Sequence, residues 1–272
     1  MNHYLAVSPG APELPGPGLR LFCFHHAGAG ALTYARWRPR FPADVQVLPV
    51  RLPGRETRLR ERRITDAGQL LAELEASLGP LLDGPYAFYG HSLGALVAYR
   101  FAQERAGAGR RPPELVAVGA CGAPHLPSPL VEQSELPDEG LLAALTRYGT
   151  LPSYLFERPK WLKLLLDTMR DDLQLARSLK EGAGPPLPCP LHAFSGVEDA
   201  VATTRAVAAW RRYTTAGFAL RQLSGGHFFV RDAELPETLA AELSRLIAPQ
   251  RTAAPGRAAP RGRHAAVRAL SP

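Results

Sequence analysis

The residues best suited to covalent chemistry lie in the pentapeptide Gly90-His91-Ser92-Leu93-Gly94. It stands between Tyr86-Ala87-Phe88-Tyr89, which reads as a buried strand, and Ala95 to Ala106, which reads as a helix. A strand that turns sharply into a helix at a serine leaves that hydroxyl exposed on a strained residue. Gly90 and Gly94 suit such a turn, because side chains there would collide as strand and helix close on one another. Ser92 is therefore expected to be a nucleophile. A serine hydroxyl attacks poorly, however, unless a base within hydrogen-bond reach takes its proton.

With a serine at such a turn, the partners are expected after later strands, an acid first and then a histidine. Both places are filled. The apolar run Leu191 to Phe194 leads into Ser195-Gly196-Val197-Glu198-Asp199, and Phe218 to Leu223 leads into Ser224-Gly225-Gly226-His227. His227 is the expected base, rather than a histidine that merely closes a turn. Asp199 is the expected acid, holding the imidazole in one tautomer and stabilising its protonated form, with Glu198 the adjacent rival. The oxyanion formed on an attacked carbonyl needs backbone donors already in place. Leu93 N–H, just after the nucleophile, is one candidate. The other comes from the loop His25-His26-Ala27-Gly28-Ala29-Gly30, where Ala27 is favoured over the neighbouring Gly28. His25 and His26 read as loop-shaping hydrogen-bonders. They have no companion ligands nearby, so neither a metal nor any other cofactor is expected.

Strands and helices must alternate to bring these residues together. Leu19 to Phe24 and Val45 to Val50 read as strands, with a helix expected from Ala31 to Arg38 between them and another from Ile64 to Leu82. Leu115 to Cys121 is a further buried strand. After Leu191 to Phe194 the pattern predicts a helix from Thr203 to Tyr213, then the strand Phe218 to Leu223 and a last helix from Leu235 to Ile247. Near-continuous apolar strands alternating with helices indicate an α/β fold, with a mostly parallel sheet covered on both faces. The alternation stops across 127–188, where Glu139 to Leu145 and Lys160 to Leu179 read as helices. Leu162, Leu164, Leu165, Leu166 and Met169 are too closely spaced for one narrow stripe, as in a helix with a second apolar surface to present. This insertion is expected to be a lid over the site, the alternative being a helical excursion that only buries a sheet face. The expected organisation is a flexible leader over 1–18, a core formed by 19–126 and 189–248, the insertion over 127–188, and a disordered basic tail over 249–272.

Bulk properties agree with one α/β domain carrying an insertion. The chain has 272 residues, 46% apolar and 21% charged, which is enough for a substantial core. Its net charge of +7 comes largely from the tail, where Arg251, Arg257, Arg261, Arg263 and Arg268 face no acid. The first 249 positions hold 27 basic and 25 acidic residues, a net of +2, so a nucleic-acid partner is not expected. Cys23, Cys121 and Cys189 are far apart and odd in number, as suits free thiols in a reducing compartment. There is neither a signal sequence nor an apolar run long enough to span a membrane. A cytoplasmic location away from membranes is expected.

Four segments together resemble a known family. Phe24-His25-His26-Ala27-Gly28, Leu52-Pro53-Gly54-Arg55-Glu56, Gly90-His91-Ser92-Leu93-Gly94 and Gly225-Gly226-His227-Phe228-Phe229 are similar to blocks of the type II thioesterases. These are stand-alone editing hydrolases of polyketide and non-ribosomal peptide assembly lines. The resemblance runs from about Leu19 to Ile247. The second and fourth segments carry most of its specificity. His25 stands where proline is usual, Ala29 where glycine is common and Leu93 where methionine is frequent, departures that bear on the shape of the oxyanion loop. The resemblance implies an α/β-hydrolase fold and hydrolysis of acyl thioesters on the phosphopantetheine arm of acyl or peptidyl carrier proteins, which removes aberrant acyl groups.

Carrier proteins are typically acidic, and Arg51, Arg55, Arg58, Arg60, Arg62 and Arg63 face only Glu56 and Glu61 within their own segment. This cluster is expected either to steer such a partner or to be a solvated loop face. Three other readings keep the fold. A general carboxylesterase or lipase would take oxygen esters as readily as thioesters. A chain-terminating or cyclising thioesterase domain would deliver the acyl group to a substrate nucleophile, although the leader and tail suit an independent protein better. A catalytically silent binding protein would be expected to lack a triad member, and all three are present here.

Overall fold

The computed structural model describes residues 2–6, 18–148, 157–182 and 184–253. The strands and helices are, in chain order, β1 (Leu19–Phe24), β2 (Val45–Val50), α1 (Ala67–Leu78), β3 (Tyr86–His91), α2 (Leu93–Gly107), β4 (Leu115–Gly119), α3 (Pro129–Glu132), α4 (Asp138–Arg147), α5 (Pro159–Glu181), β5 (Leu191–Gly196), α6 (Thr204–Ala208), β6 (Phe218–Leu223) and α7 (Glu234–Ala253). The strands form one sheet in the order β2-β1-β3-β4-β5-β6, with every neighbouring pair parallel.

The two-residue period of a strand sends alternate side chains to opposite faces, and here both faces are buried. Phe22, Phe24, Tyr86, Phe88, Val116 and Val118 pack with α1, α2 and the helical insertion. Leu21, Cys23, Ala87, Tyr89, Leu115 and Ala117 face Tyr34, Trp37 and the Leu235, Leu239 and Leu243 side of α7. Parallel register brings the carboxyl ends of the strands to one edge, with Phe24 beside Gly90, His91 beside Gly119, and Gly196 beside Leu223. The loops bearing Ala27, Ser92, Asp199 and His227 all leave from that edge, where parallel α/β sheets place their sites.

Several helices differ from the sequence expectation for local reasons. Asp66, in extended conformation, caps α1 by accepting from Gln69 N–H, so the helix starts at Ala67 rather than Ile64. Pro80 lacks a donor, and the end of the same expected helix tightens into a 3₁₀ turn over Gly79–Leu81. The expected helix from Ala31 to Arg38 is instead two 3₁₀ turns, Ala31–Tyr34 and Arg38–Arg40, the second containing Pro39. Thr203 caps α6, which gives way to a 3₁₀ turn over Ala209–Tyr213.

The start of the leader is not loose. Leu5 bridges antiparallel to Val50, Tyr4 is buried with its hydroxyl donating to Glu73 at 2.5 Å, and Arg58 lies over the Tyr4 ring at 4.1 Å. An aromatic residue that can cover the edge strand β2 and reach an acid overrides the Pro/Gly-rich character of the leader sequence. The backbone of α7 also continues to Ala253, past the expected start of the tail at 249. The expectations for 7–17, for the rest of the tail and for 149–156 of the insertion concern residues outside those described.

Candidate active site

Ser92 has φ 54° and ψ −113° and stands at the N-cap of α2. A non-glycine residue at positive φ costs about 1–3 kcal/mol and persists only where its surroundings impose it. Here they do. Ser92 N–H donates to Gly119 O at 2.8 Å, and Ser92 O accepts from Ala95 N–H at 3.0 Å. A Cβ on Gly90 would strike the Gly94 carbonyl, and one on Gly94 would strike the Phe24 carbonyl.

His227 Nε2 lies 3.2 Å from Ser92 Oγ, while its Nδ1 lies 2.9 and 3.1 Å from the two carboxylate oxygens of Asp199. Asp199 is buried and its Oδ1 also accepts from Val201 N–H (2.8 Å) and Ala202 N–H (3.0 Å). An acceptor-only carboxylate at Nδ1 places the proton there and leaves Nε2 free to accept from the serine. Glu198, the sequence rival, is exposed. It is Asp199 that reaches the imidazole.

A second histidine supports the first. His91 is fully buried, and burial, followed by the neighbouring His227 imidazole, holds its pKa well below the ordinary value, so it stays neutral. Its Nε2 donates to the His227 carbonyl at 2.7 Å, which leaves Nδ1 to accept from Tyr89 O–H at 2.8 Å. The sequence reading gave His91 and Tyr89 no role. The signal was present, since residues two apart on a strand share a face.

The loop after β1 is shaped by its own histidines. His25 Nδ1 donates to His26 O, and His26 Nδ1 donates to Ala27 O, both at 2.9 Å. Burial pushes the pKa of His25 down to about 3 and that of His26 to about 4, so both act as neutral donors. His26 O also accepts from Ala29 N–H. In a planar trans peptide the N–H points opposite the C=O, so pinning His26 O aims Ala27 N–H the other way. Gly28 N–H is already committed to Asp172 Oδ2 at 2.8 Å. Leu93 N–H belongs to the first turn of α2, where amides have no intrahelical acceptor.

Ser92, Leu93, Ala27 and His227 all line one cavity of about 560 Å³. Its walls include Leu96, Leu130, Val131, Leu145, Leu173 and Ala176, and Lys180 supplies a cation to the lining. At the rim stand Leu32, Leu59, Trp161 and Leu164, all exposed. The close-spaced apolar residues of α5 therefore serve two surfaces, with Leu166 in the core and Leu164 and Leu165 on the cavity. Among the described residues, no group of three or more His, Cys, Asp or Glu side chains is placed to hold a metal ion.

The arginine segment is largely self-neutralised. Arg51 pairs with Glu56, Arg55 with Asp172, Arg58 with Glu61 and Arg63 with Asp171. Two of those acids come from α5, more than a hundred residues away in sequence, which is why counting charges within the segment overstated the patch. Arg60 and Arg62 remain exposed.

Fold and site together define a serine hydrolase of the α/β-hydrolase class. The family model for the thioesterase domain matches residues 19–246. Linear gramicidin dehydrogenase LgrE of Brevibacillus parabrevis is 37% identical over 218 residues, covering 79% of this chain and 82% of that protein. Its name denotes redox chemistry, whereas the geometry at Ser92 in the present chain suits acyl transfer. The solved structure of RedJ, a thioesterase of the prodiginine pathway in Streptomyces coelicolor, superposes with a TM-score of 0.76 at 33% identity, covering 88% of this chain and 96% of RedJ. The type II thioesterase BorB, from the borrelidin biosynthetic cluster, gives 0.73 at 28% identity over 87% of this chain and 95% of its own. The chain belongs to the thioesterase family, and within it to the type II thioesterases.

Proposed function

We propose that this thioesterase releases acyl groups from the phosphopantetheine thiol of acyl or peptidyl carrier proteins, clearing aberrant units from a polyketide or non-ribosomal peptide pathway. The observation that carries the reading is the Asp199–His227–Ser92 relay opening on an apolar cavity, with contacts of 2.9 Å at one end of the imidazole and 3.2 Å at the other. Ser92 Oγ attacks the thioester carbonyl as His227 Nε2 takes its proton. The tetrahedral oxyanion is held by the N–H groups of Ala27 and Leu93. Its collapse breaks the carbon–sulfur bond, the sulfur leaves with the proton from His227, and an acyl-serine remains. Water then attacks that ester with His227 again as base, which frees the acid and restores Ser92. A thiolate leaves easily, so the first step makes small demands on His227 as an acid and large ones on the oxyanion donors.

The helical insertion acts as the cover of the acyl chain, a role supported by the α5 side chains in the cavity wall. The carrier protein meets the rim formed by Leu32, Leu59, Trp161 and Leu164, with the exposed Arg60 and Arg62 as its charged flank. A cytoplasmic setting is favoured by three unpaired cysteines; no helix among the described residues is long and apolar enough to cross a membrane.

Mass spectrometry of acyl-loaded carrier proteins, compared with matched oxygen esters, tests the proposal. Faster release from the carrier, abolished in Ser92→Ala, is expected. A preference for the oxygen esters overturns it in favour of a general esterase.

A further inference from the structure

The charges buried between the oxyanion loop and α5 have no part in the relay. Asp172 is 1% exposed and Arg55 7%, and they meet in a fork, Arg55 Nη2 to Asp172 Oδ1 at 2.8 Å and Nη1 to Oδ2 at 3.0 Å. Burial disfavours the ionised carboxyl, yet the guanidinium beside it keeps its pKa below the ordinary value. Both partners also hold the loop after β1. Asp172 Oδ2 accepts from Gly28 N–H at 2.8 Å, and Arg55 Nη1 donates to Ala29 O at 2.9 Å. Gly28 has φ +72° and lies so close to α5 that a Cβ there would press on Met169 Sδ and Leu165.

An ion pair buried this deeply contributes little net stability against an apolar pair of similar volume. It does supply directional constraints, two hydrogen bonds within the pair and two from it to the residues after Ala27. We infer that Asp172, fixed by Arg55, is a positioning residue for the oxyanion hole. By taking Gly28 N–H it denies that amide to the substrate and sets the peptide planes that aim Ala27 N–H. The helix that walls the acyl cavity thereby also holds the loop that stabilises the developing charge. This inference rests on the hydrolytic reading of Ser92 given above.

The test removes the buried charges twice, with and without an acceptor for Gly28. D172N/R55M keeps a side-chain oxygen at position 172, and D172L/R55M has none in nearly the same volume. Steady-state kinetics on an acyl-pantetheine thioester are read beside the affinity of an alkyl boronic acid, which forms a tetrahedral adduct on Ser92. D172N/R55M, which keeps an acceptor for Gly28 but loses the fork, is expected to lose about tenfold in kcat. D172L/R55M is expected to lose about 100-fold in kcat and a like factor in boronate affinity, with KM within about twofold, as for a misplaced oxyanion donor. Equal kcat in the two variants, or unchanged boronate affinity in D172L/R55M, overturns the positioning role.

Should D172L/R55M not fold, R55K decides the matter, since it keeps the charge and loses the fork. A parallel fall of about tenfold in kcat and boronate affinity supports the inference, and a change confined to KM or to thermal stability rejects it. Failure of the underlying hydrolytic reading shows separately, as turnover that persists in Ser92→Ala.

Discussion

The two walls of the active site are held by different physics. On the sheet side, Ser92 and His91 are fixed by backbone collisions and by hydrogen bonds between neutral groups. Gly90 and Gly94 leave no other path for the chain, and Tyr89, His91 and the His227 carbonyl form a buried neutral string. On the insertion side, the loop after β1 and its neighbours are tied by ions. Arg55 to Asp172 and Arg63 to Asp171 join segments more than a hundred residues apart, while Arg51 to Glu56 braces the turn beside them. The first kind of order needs no charged partner.

Substitutions can break this contrast at several strengths. The greatest effect belongs to the relay itself. Ser92→Ala or His227→Ala is expected to lower kcat by about 10⁴-fold or more, and Asp199→Asn by about 10⁴-fold, with little change in fold by circular dichroism. Survival of more than a hundredth of the activity in any of the three would remove that residue from the chemistry. Next comes the rigid wall. Gly94→Ala sets a Cβ against the Phe24 carbonyl, and chemical denaturation should show a loss above about 4 kcal/mol. A loss near 1 kcal/mol would mean that the elbow yields easily.

Acid probes both walls through the loop that joins them. His25 keeps its neutral form when folded, with a pKa of about 3, but takes a proton near pH 6.5 when unfolded. Between those values the unfolded chain holds the extra proton, so stability falls as pH drops through that window. The loss from this one residue between pH 6.5 and 4.5 is about 2–3 kcal/mol. Unfolding curves for His25→Asn should flatten by that amount, and parallel curves for variant and wild type would refute the assignment. A smaller effect is expected from Tyr89→Phe. It leaves His91 Nδ1 buried without a donor, a cost of about 1–3 kcal/mol by denaturation. The mildest is at the rim, where Arg60→Glu with Arg62→Glu should raise KM for acyl-carrier protein severalfold and leave a small pantetheine thioester unaffected. Equal shifts for both substrates would exclude docking there.

Most of the sheet was legible in the sequence because its strands are short apolar runs whose ends coincide with turn residues. Leu19–Phe24, Val45–Val50 and Phe218–Leu223 begin and end where expected. The candidate relay was legible for a related reason, since each member lies within a few residues of a strand end and parallel order fixes which loops share an edge. Other features that were not legible depend on a partner distant in sequence. Tyr4 looks like part of a proline-rich leader until β2 and α1 are present to receive it. The arginines of 51–63 look like a basic patch until α5 brings Asp171 and Asp172 alongside. Gly28 stays a rival to Ala27 as the oxyanion donor until Asp172 takes its amide.

The sequence by itself located the candidate nucleophile, base and acid, because the elbow and the strand order are patterns of apolar runs and glycines. Only the tertiary structure decided which backbone amides remain free for a substrate and which arginines remain free for a partner. Those choices depend on distances across the insertion, and a buried charge takes whichever opposite charge the packing places within reach.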